Sequence, residues 1–226
     1  MNRTFNIDLY DGHLIFIDDD LKVLVDTGSP VTIGDSNSFK FMEEEFKCET
    51  SFGGKDINSI SQLMNYDVNI LMGMDIIERY YVQTNYKHQQ VTFSNEPLPV
   101  EQMVSSPILR SQMGAVCINI GVKGRNVKLA LDTGAKISYI DQSFIVGEEQ
   151  IGIRDDFNPL IGHFQTPIFA MEASIGDCSF PVNFGVLPPT LAMMLQMMDI
   201  YGAIGFDLFN VFTVILDFKN NMLFVG

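Results

Sequence analysis

The feature that most constrains the fold of this chain is the tripeptide Asp-Thr-Gly, which occurs twice, each time at the end of an apolar run. The first copy lies in residues 24–29 (LVDTGS) and the second in residues 130–135 (ALDTGA). The glycine two positions after each aspartate permits a sharp turn of the chain, which leaves the aspartate at the strand end. Two copies therefore suggest that two carboxylates meet at one centre.

The sequence around each tripeptide repeats as well. An apolar-apolar-glycine element follows each copy, as Leu71-Met72-Gly73 and as Ala203-Ile204-Gly205. The aspartates are 106 positions apart and the glycines 132, so the second half holds 26 additional residues between them. After the glycines the offset is constant, which predicts a duplicated, mostly β unit.

Periodicity and turn residues predict the local structure. Residues 5–25 have the pattern of strand, turn and strand, residues 68–73 that of a buried strand, and residues 80–93 that of a hairpin turning near Lys87-His88. We expect a short surface helix or irregular segment at 36–51. A helix should start at Asp75, whose carboxylate would accept a hydrogen bond from the Glu78 amide. A further helix is expected within 189–200, with its methionines packed into the core.

Proline spacing predicts the domain organisation. Pro97, Pro99 and Pro107 interrupt regular structure. We expect an N-terminal lobe at 1–95, a linker without regular elements at 96–112, and a C-terminal lobe at 113–226.

Composition excludes several classes of function. A chain of 226 residues with 46% hydrophobic content buries a sizeable core. The net charge of −14 and the scattered basic residues argue against a nucleic-acid partner. Three widely spaced cysteines predict no disulfide framework, and the N-terminus shows no signal-peptide pattern. We expect a cytoplasmic protein without membrane insertion.

With these four elements in order, the chain resembles DTG-type aspartic proteases. Asp26-Thr27-Gly28-Ser29 resembles the pepsin-like form of the motif, and Asp132-Thr133-Gly134-Ala135 resembles the retroviral form. The resemblance covers nearly the whole chain. It implies an all-β, two-lobed acid-protease-like fold built from a duplicated retropepsin-like unit, with a few short helices.

The resemblance also implies roles for the motif residues. Asp26 and Asp132 would activate a water for peptide hydrolysis, because two close carboxylates share a proton and so supply both a base and an acid. Thr27 and Thr133 would hydrogen-bond across the lobe interface, and the amides of Gly28 and Gly134 would approach the carboxylates. Ser29 would add a hydroxyl bond to Asp26 that Ala135 cannot give to Asp132.

Proteases of this family cover the substrate with a hairpin flap. Candidate flap tips are Phe52-Gly53-Gly54 in the first lobe and Ile161-Gly162-His163 in the second. The first lobe is short for the family and has no evident counterpart of the pepsin flap tyrosine. The second lobe is therefore a candidate for the main cover.

The sequence thus predicts a monomeric aspartic endopeptidase that acts on an extended peptide or protein substrate and needs no cofactor. One alternative is a protease-like fold that binds peptides without turnover. A carboxylate metal site is a further alternative, but it needs more oxygen ligands than two aspartates provide, and the three histidines show no metal-ligand spacing.

Overall fold

Strands dominate the chain. The computed structural model describes residues 1–226, which form twenty strands, four short α-helices and one 3-10 helix. In chain order the strands are β1 (Asn2–Tyr10), β2 (His13–Asp18), β3 (Leu21–Val25), β4 (Ile33–Gly34), β5 (Ser38–Phe41), β6 (Glu44–Lys47), β7 (Ile70–Met72), β8 (Tyr81–Asn85), β9 (Gln90–Ser94), β10 (Val104–Pro107), β11 (Leu109–Arg110), β12 (Val116–Val122), β13 (Arg125–Leu131), β14 (Ser138–Ile140), β15 (Gln150–Asn158), β16 (Gly162–Ile175), β17 (Cys178–Val186), β18 (Gly202–Ile204), β19 (Val214–Asp217) and β20 (Met222–Val225). The helices are α1 (Ile57–Met64), α2 (Met74–Ile77), α3 (Pro189–Met197) and α4 (Phe206–Val211), and the 3-10 helix spans Gln142–Phe144.

Two large sheets carry the fold. The first has ten strands in the order β10-β20-β19-β8-β9-β1-β2-β3-β7-β4, and the second has eight in the order β11-β12-β13-β18-β14-β17-β16-β15. The C-terminal strand β19 pairs antiparallel with β8, with Val214 opposite Thr84. The last strands of the chain therefore complete the sheet of the first half.

Residues 96–112 contain two strands, so the prediction that they lack regular structure is wrong for 104–110. Strand β10 pairs with β20, and β11 pairs with β12. Pro107 is tolerated because β10 is the edge strand of its sheet, where a missing backbone N–H breaks no ladder. The lobe boundaries stay predictions.

The segment expected to be helical or irregular at 36–51 is a hairpin. Strands β5 and β6 pair antiparallel, and Phe39, Phe41 and Phe46 are buried on one face. The turn between them places Met42 and Glu43 at φ of 52° and 66°, as tight hairpin turns with two left-handed residues require. Alternate burial of the phenylalanines thus favours a strand over a helix here.

The predicted strands at 68–73 and 80–93 are confirmed as β7 and as the β8–β9 hairpin. The helix expected within 189–200 is α3, but the prediction that its methionines pack into the core is wrong. Only Leu191 is buried on this helix, whereas Met193 and Met197 are 59% and 79% exposed.

The main core is shared between the two halves. One cluster of 46 buried residues extends from Phe5 in β1 to Val225 in β20. A separate cluster of eight lies under α1 and includes Ile60 and Met64. No helix of the chain is both long and apolar enough to cross a membrane.

Candidate active site

Each Asp-Thr-Gly loop begins at the end of a strand that pairs in parallel with the strand of the apolar-apolar-glycine element. Strand β3 pairs with β7, and the Asp26 amide donates to the carbonyl of Met72 at 3.0 Å. Strand β13 pairs with β18, and the Asp132 amide donates to Ile204 at 3.0 Å. The repeated sequence therefore builds the same backbone frame twice.

The two threonines exchange hydrogen bonds between the loops. The Thr27 amide donates to the Thr133 hydroxyl, and the Thr133 amide donates to the Thr27 hydroxyl, each at 3.0 Å. The hydroxyl of Thr27 donates to the carbonyl of Leu131, and that of Thr133 donates to the carbonyl of Val25, each at 2.7 Å. Both threonines are buried, so four hydrogen bonds shielded from water hold the loops in register, as the family resemblance implied.

This register brings the two carboxylates together. The Gly28 amide donates to Asp26 Oδ1 at 2.8 Å, and the Gly134 amide donates to Asp132 Oδ1 at 2.9 Å. The two aspartate side chains are close enough to interact with each other. A Cβ at Gly28 would lie 2.9 Å from the Asp132 carboxyl, and one at Gly134 would lie 2.8 Å from that of Asp26. Only glycine leaves room for this approach.

Proximity and burial shift both carboxyl groups towards the protonated form. Burial raises the pKa of Asp26. Burial, together with the negative charge of Asp26, raises the pKa of Asp132 to about 8. A carboxyl that keeps its proton beside an ionised one can donate a hydrogen bond while its neighbour accepts a proton.

Ser29 does not support Asp26 as expected. Its hydroxyl donates to the carbonyl of Val31 at 2.8 Å, and only its backbone interacts with the Asp26 carboxylate. The prediction that the Ser29 hydroxyl makes the two carboxylates unequal is therefore wrong. Ala135 occupies the equivalent position on the Asp132 side.

A second ring of polar residues supports the loops, and sequence reasoning missed it. The Thr32 amide and hydroxyl donate to the Asp75 carboxylate at 3.0 and 2.7 Å, and the Ser138 hydroxyl donates to Asp207 at 2.7 Å. Asp75 therefore does not cap α2 through the Glu78 amide, which donates to Met74 instead. Thr32 follows Asp26 at the same spacing at which Ser138 follows Asp132. This equal spacing is the sequence signal from which the two pairs could have been predicted.

The dyad lies in a cleft of about 410 Å³ whose lining is mostly apolar. Of the flap candidates, Phe52 and Gly53 line this cleft. Ile161, Gly162 and His163 lie at the tip of the β15–β16 hairpin but do not line the cleft. The hairpin residues that face it are Asp156, Phe157, Asn158, Pro159, Leu160 and Phe164. The longer hairpin beside the cleft therefore belongs to the second half.

A charged cluster lies in the cleft on the Asp132 side only. Lys136 pairs with Asp11 at 2.7 Å and lies 3.9 Å from the buried Asp156. Tyr139 donates its hydroxyl to Asp156. His13 is buried beside this cluster and interacts with the Gly134 backbone, although its Nδ1 has no well-formed hydrogen bond. At the position equivalent to Lys136, the Asp26 side has Pro30.

The residues of the site do not provide a metal centre. No group of three or more His, Cys, Asp or Glu side chains is arranged to hold a metal ion. The site instead offers two adjacent carboxylates in an apolar cleft, an arrangement suited to acid–base chemistry on one small molecule between them.

Comparison with solved structures identifies the architecture. The aspartic proteinase from Irpex lacteus superposes with a TM-score of 0.54 at 10% sequence identity, and the match covers 100% of this chain and 97% of that one. The chain has a two-lobed, all-β, pepsin-like fold. The Basic 7S globulin from soybean is also similar, with a TM-score of 0.49 at 9% identity over 100% of this chain and 94% of that one.

No protein-family model matches the sequence, and no curated protein does. The predicted fold class is confirmed by the structural likeness, which at this identity concerns the fold alone. The retropepsin-like character of the repeated unit stays a prediction.

Proposed function

We propose that the chain is an aspartic endopeptidase that hydrolyses peptide bonds through a water molecule activated between Asp26 and Asp132. The observation that carries this proposal is the exchange of hydrogen bonds between Thr27 and Thr133. It fixes two carboxylates against each other in an open cleft, at the cost of placing two like-charged groups side by side. A fold that needed only structural aspartates would not gain from this arrangement.

The chemistry follows from the shared proton. The ionised carboxylate takes a proton from the water as its oxygen attacks the scissile carbonyl carbon, and the protonated carboxyl donates to the carbonyl oxygen. The resulting tetrahedral diol collapses when the C–N bond breaks: the amine leaves with a proton from the dyad, and one diol hydroxyl gives its proton to the dyad as its oxygen becomes the carbonyl oxygen of the new carboxyl group. The dyad ends with the single proton it began with, so Asp26 and Asp132 act as a pair without fixed individual roles.

The substrate would be an extended peptide that lies in the cleft under the β15–β16 hairpin. Backbone hydrogen bonds would hold its main chain, and the apolar lining would receive its side chains. Exclusion of water from the cleft by the hairpin would strengthen the electrostatic interactions at the dyad.

The test is cleavage of a diverse peptide mixture by the native chain and by the Asp26→Asn and Asp132→Asn variants, across acidic to neutral pH. We expect each variant to lose roughly a thousandfold or more in kcat/KM, since neither carboxyl alone supplies both base and acid. Asp67→Asn, at an exposed aspartate far from the dyad in sequence, is the control and should retain full activity.

The proposal fails if the native chain cuts nothing at any pH and no hydroxyl-bearing tetrahedral analogue of a peptide bond raises its melting temperature. Binding of such an analogue without cleavage would instead favour a protease-like fold that binds peptides without turnover.

A further inference from the structure

The two lysines that line the cleft differ in their partners. Lys136 pairs with Asp11 at 2.7 Å and lies 3.9 Å from Asp156. Lys55 lies on the wall that the first half contributes. The lysines of the chain that form ion pairs are Lys47, Lys123, Lys128 and Lys136. Lys55 is not among them, so its charge is not compensated within the chain.

A tight turn fixes the backbone of Lys55. The Phe52 amide donates to the Lys55 carbonyl at 2.9 Å, and the Lys55 amide donates to the Phe52 carbonyl at 3.0 Å. Gly53 and Gly54 between them have φ of 58° and 76°, as a turn with two left-handed residues requires. A Cβ added at Gly53 would lie 3.8 Å from the Leu160 side chain, so the turn lies against the β15–β16 hairpin. Lys55 is therefore held where the two halves meet at the cleft.

The carboxylate next to Lys55 in the sequence is engaged elsewhere. Asp56 accepts from the Ser59 amide at 2.8 Å and from the Ser59 hydroxyl at 2.6 Å, and so caps helix α1. A cation directly before this cap lies at the helix end that favours negative charge. Lys55 therefore does not stabilise the helix that it precedes, and its ammonium group is free to bind an anion.

The rest of the cleft makes this charge selective. Most of the lining is apolar, so a substrate carboxylate that entered without a counter-charge would lose its hydration without compensation. Asp156 and the charge shared by Asp26 and Asp132 repel a further carboxylate near them. Lys55 is half-buried, and its ammonium group therefore attracts a carboxylate more strongly than a fully exposed lysine does. An acidic side chain of a bound peptide is thus most favourably placed beside Lys55.

We propose that Lys55 is a specificity-determining residue that binds an aspartate or glutamate side chain of the substrate peptide. The lysine Nζ donates charge-assisted hydrogen bonds to the carboxylate oxygens. The substrate is then an extended peptide with an acidic side chain at one fixed position relative to the dyad. This inference rests on the proposed endopeptidase function for cleavage, whereas the binding of the acidic side chain does not need turnover.

The first test measures cleavage of a peptide series in which a single glutamate, glutamine or lysine is moved through each position. The pH is kept above the ordinary glutamate pKa of about 4.3, so that the carboxylate is ionised. We expect the native chain to prefer glutamate to glutamine at one position by about tenfold in kcat/KM, mainly through KM. Lys55→Gln should abolish this preference, and Lys55→Glu should replace it with a preference for lysine at the same position.

Lys87→Gln is the matched control, because Lys87 is an exposed lysine outside the cleft that also forms no ion pair. It should keep the native ratio of glutamate to glutamine peptide. Equal ratios in the native chain and in Lys55→Gln would overturn the proposal, and so would a native chain that cleaves peptides without preferring glutamate at any position.

The second test measures binding alone. The same peptides are titrated by calorimetry into Asp26→Asn protein, with and without Lys55→Gln. We expect the Kd of the tightest glutamate peptide to rise about tenfold when Lys55 is replaced, and that of the matched glutamine peptide to stay the same. This result without any cleavage by the native chain would refute the proposed activity but support the role of Lys55. Cleavage by the native chain, with a Kd that does not depend on residue 55, would refute the role of Lys55 alone.

Discussion

The two Asp-Thr-Gly loops are alike in their hydrogen bonds and unlike in what surrounds them. Each aspartate amide donates to the neighbouring strand at 3.0 Å, and each threonine makes the same pair of bonds to the opposite loop. Around the loops the halves differ, with a short turn at Phe52–Lys55 on one side and the β15–β16 hairpin on the other. The parts that place the two carboxylates are therefore duplicated, and the hairpins that border the cleft are not.

This difference separates two requirements of the site. Two carboxylates share a proton only if they lie at hydrogen-bond distance, which demands equal and rigid backbone frames. Covering and selecting a peptide has no such demand, because a peptide is itself asymmetric along its length. Changes in the shared parts should therefore act equally in both halves, and changes outside them should act on one side only.

The largest effect is expected from filling the space that the glycines leave open. Gly28→Ala and Gly134→Ala each place a Cβ within 3 Å of the opposite carboxyl, which forces the dyad apart. We expect both to reduce kcat/KM more than a hundredfold. Gly152→Ala is the matched control, since a Cβ there meets nothing within 4 Å. Retained activity in only one of the two loop variants would show that the two Asp-Thr-Gly loops are not equivalent.

The second largest effect concerns the threonines. Thr27→Ala and Thr133→Ala each remove two buried hydrogen bonds and leave partners unsatisfied. We expect each to lower the free energy of unfolding by about 2–4 kcal/mol, measured by urea denaturation. Thr27→Ser and Thr133→Ser keep the hydroxyl and should recover most of the loss. Very different losses for the two alanine variants would show that the lobe interface is unequal at its centre.

A smaller effect should distinguish the two sides. The charge of Asp156 contributes to the raised pKa of Asp132, so Asp156→Asn removes a cause that favours the protonated form. The pKa of Asp132 then falls, and the loss of activity at rising pH should begin a fraction of a pH unit lower. The measurement is the pH profile of kcat/KM. Asp155→Asn, at the exposed neighbour, should leave the profile in place. An unchanged profile in Asp156→Asn would mean that the charged cluster does not act on the dyad.

The fold class could be predicted from the family that the four repeated elements resemble, and the apolar run before each tripeptide was sufficient to predict that each aspartate lies at the end of a strand. The destination of the Ser29 hydroxyl could not be predicted, since Val31 competes for it only once the loop is folded. The polar cluster of Asp11, Lys136 and Asp156 could not be predicted either, because its members come from three separate segments of the chain.

The methionines of α3 illustrate the same limit. Their spacing predicts a helix with an apolar face, and the helix is present. Periodicity cannot tell whether that face meets a core or a cleft, because both are apolar environments. Likewise, Phe39 and Phe41 are compatible with helix or strand until the turn at Met42 and Glu43 settles the pairing.

The central claim is that Asp26 and Asp132 share one proton, and carboxyl ¹³C NMR of labelled aspartate tests it most directly. Spectra recorded from acidic to alkaline pH, assigned with Asp26→Asn and Asp132→Asn, follow each group separately. In the native chain we expect two separate titration steps, the upper one extending to about pH 8. In the Asp26→Asn variant the pKa of Asp132 should be lower, because the negative charge of Asp26 is removed. Two independent titrations near the ordinary aspartate value of 3.8, unaffected by the neighbouring substitution, would contradict the account.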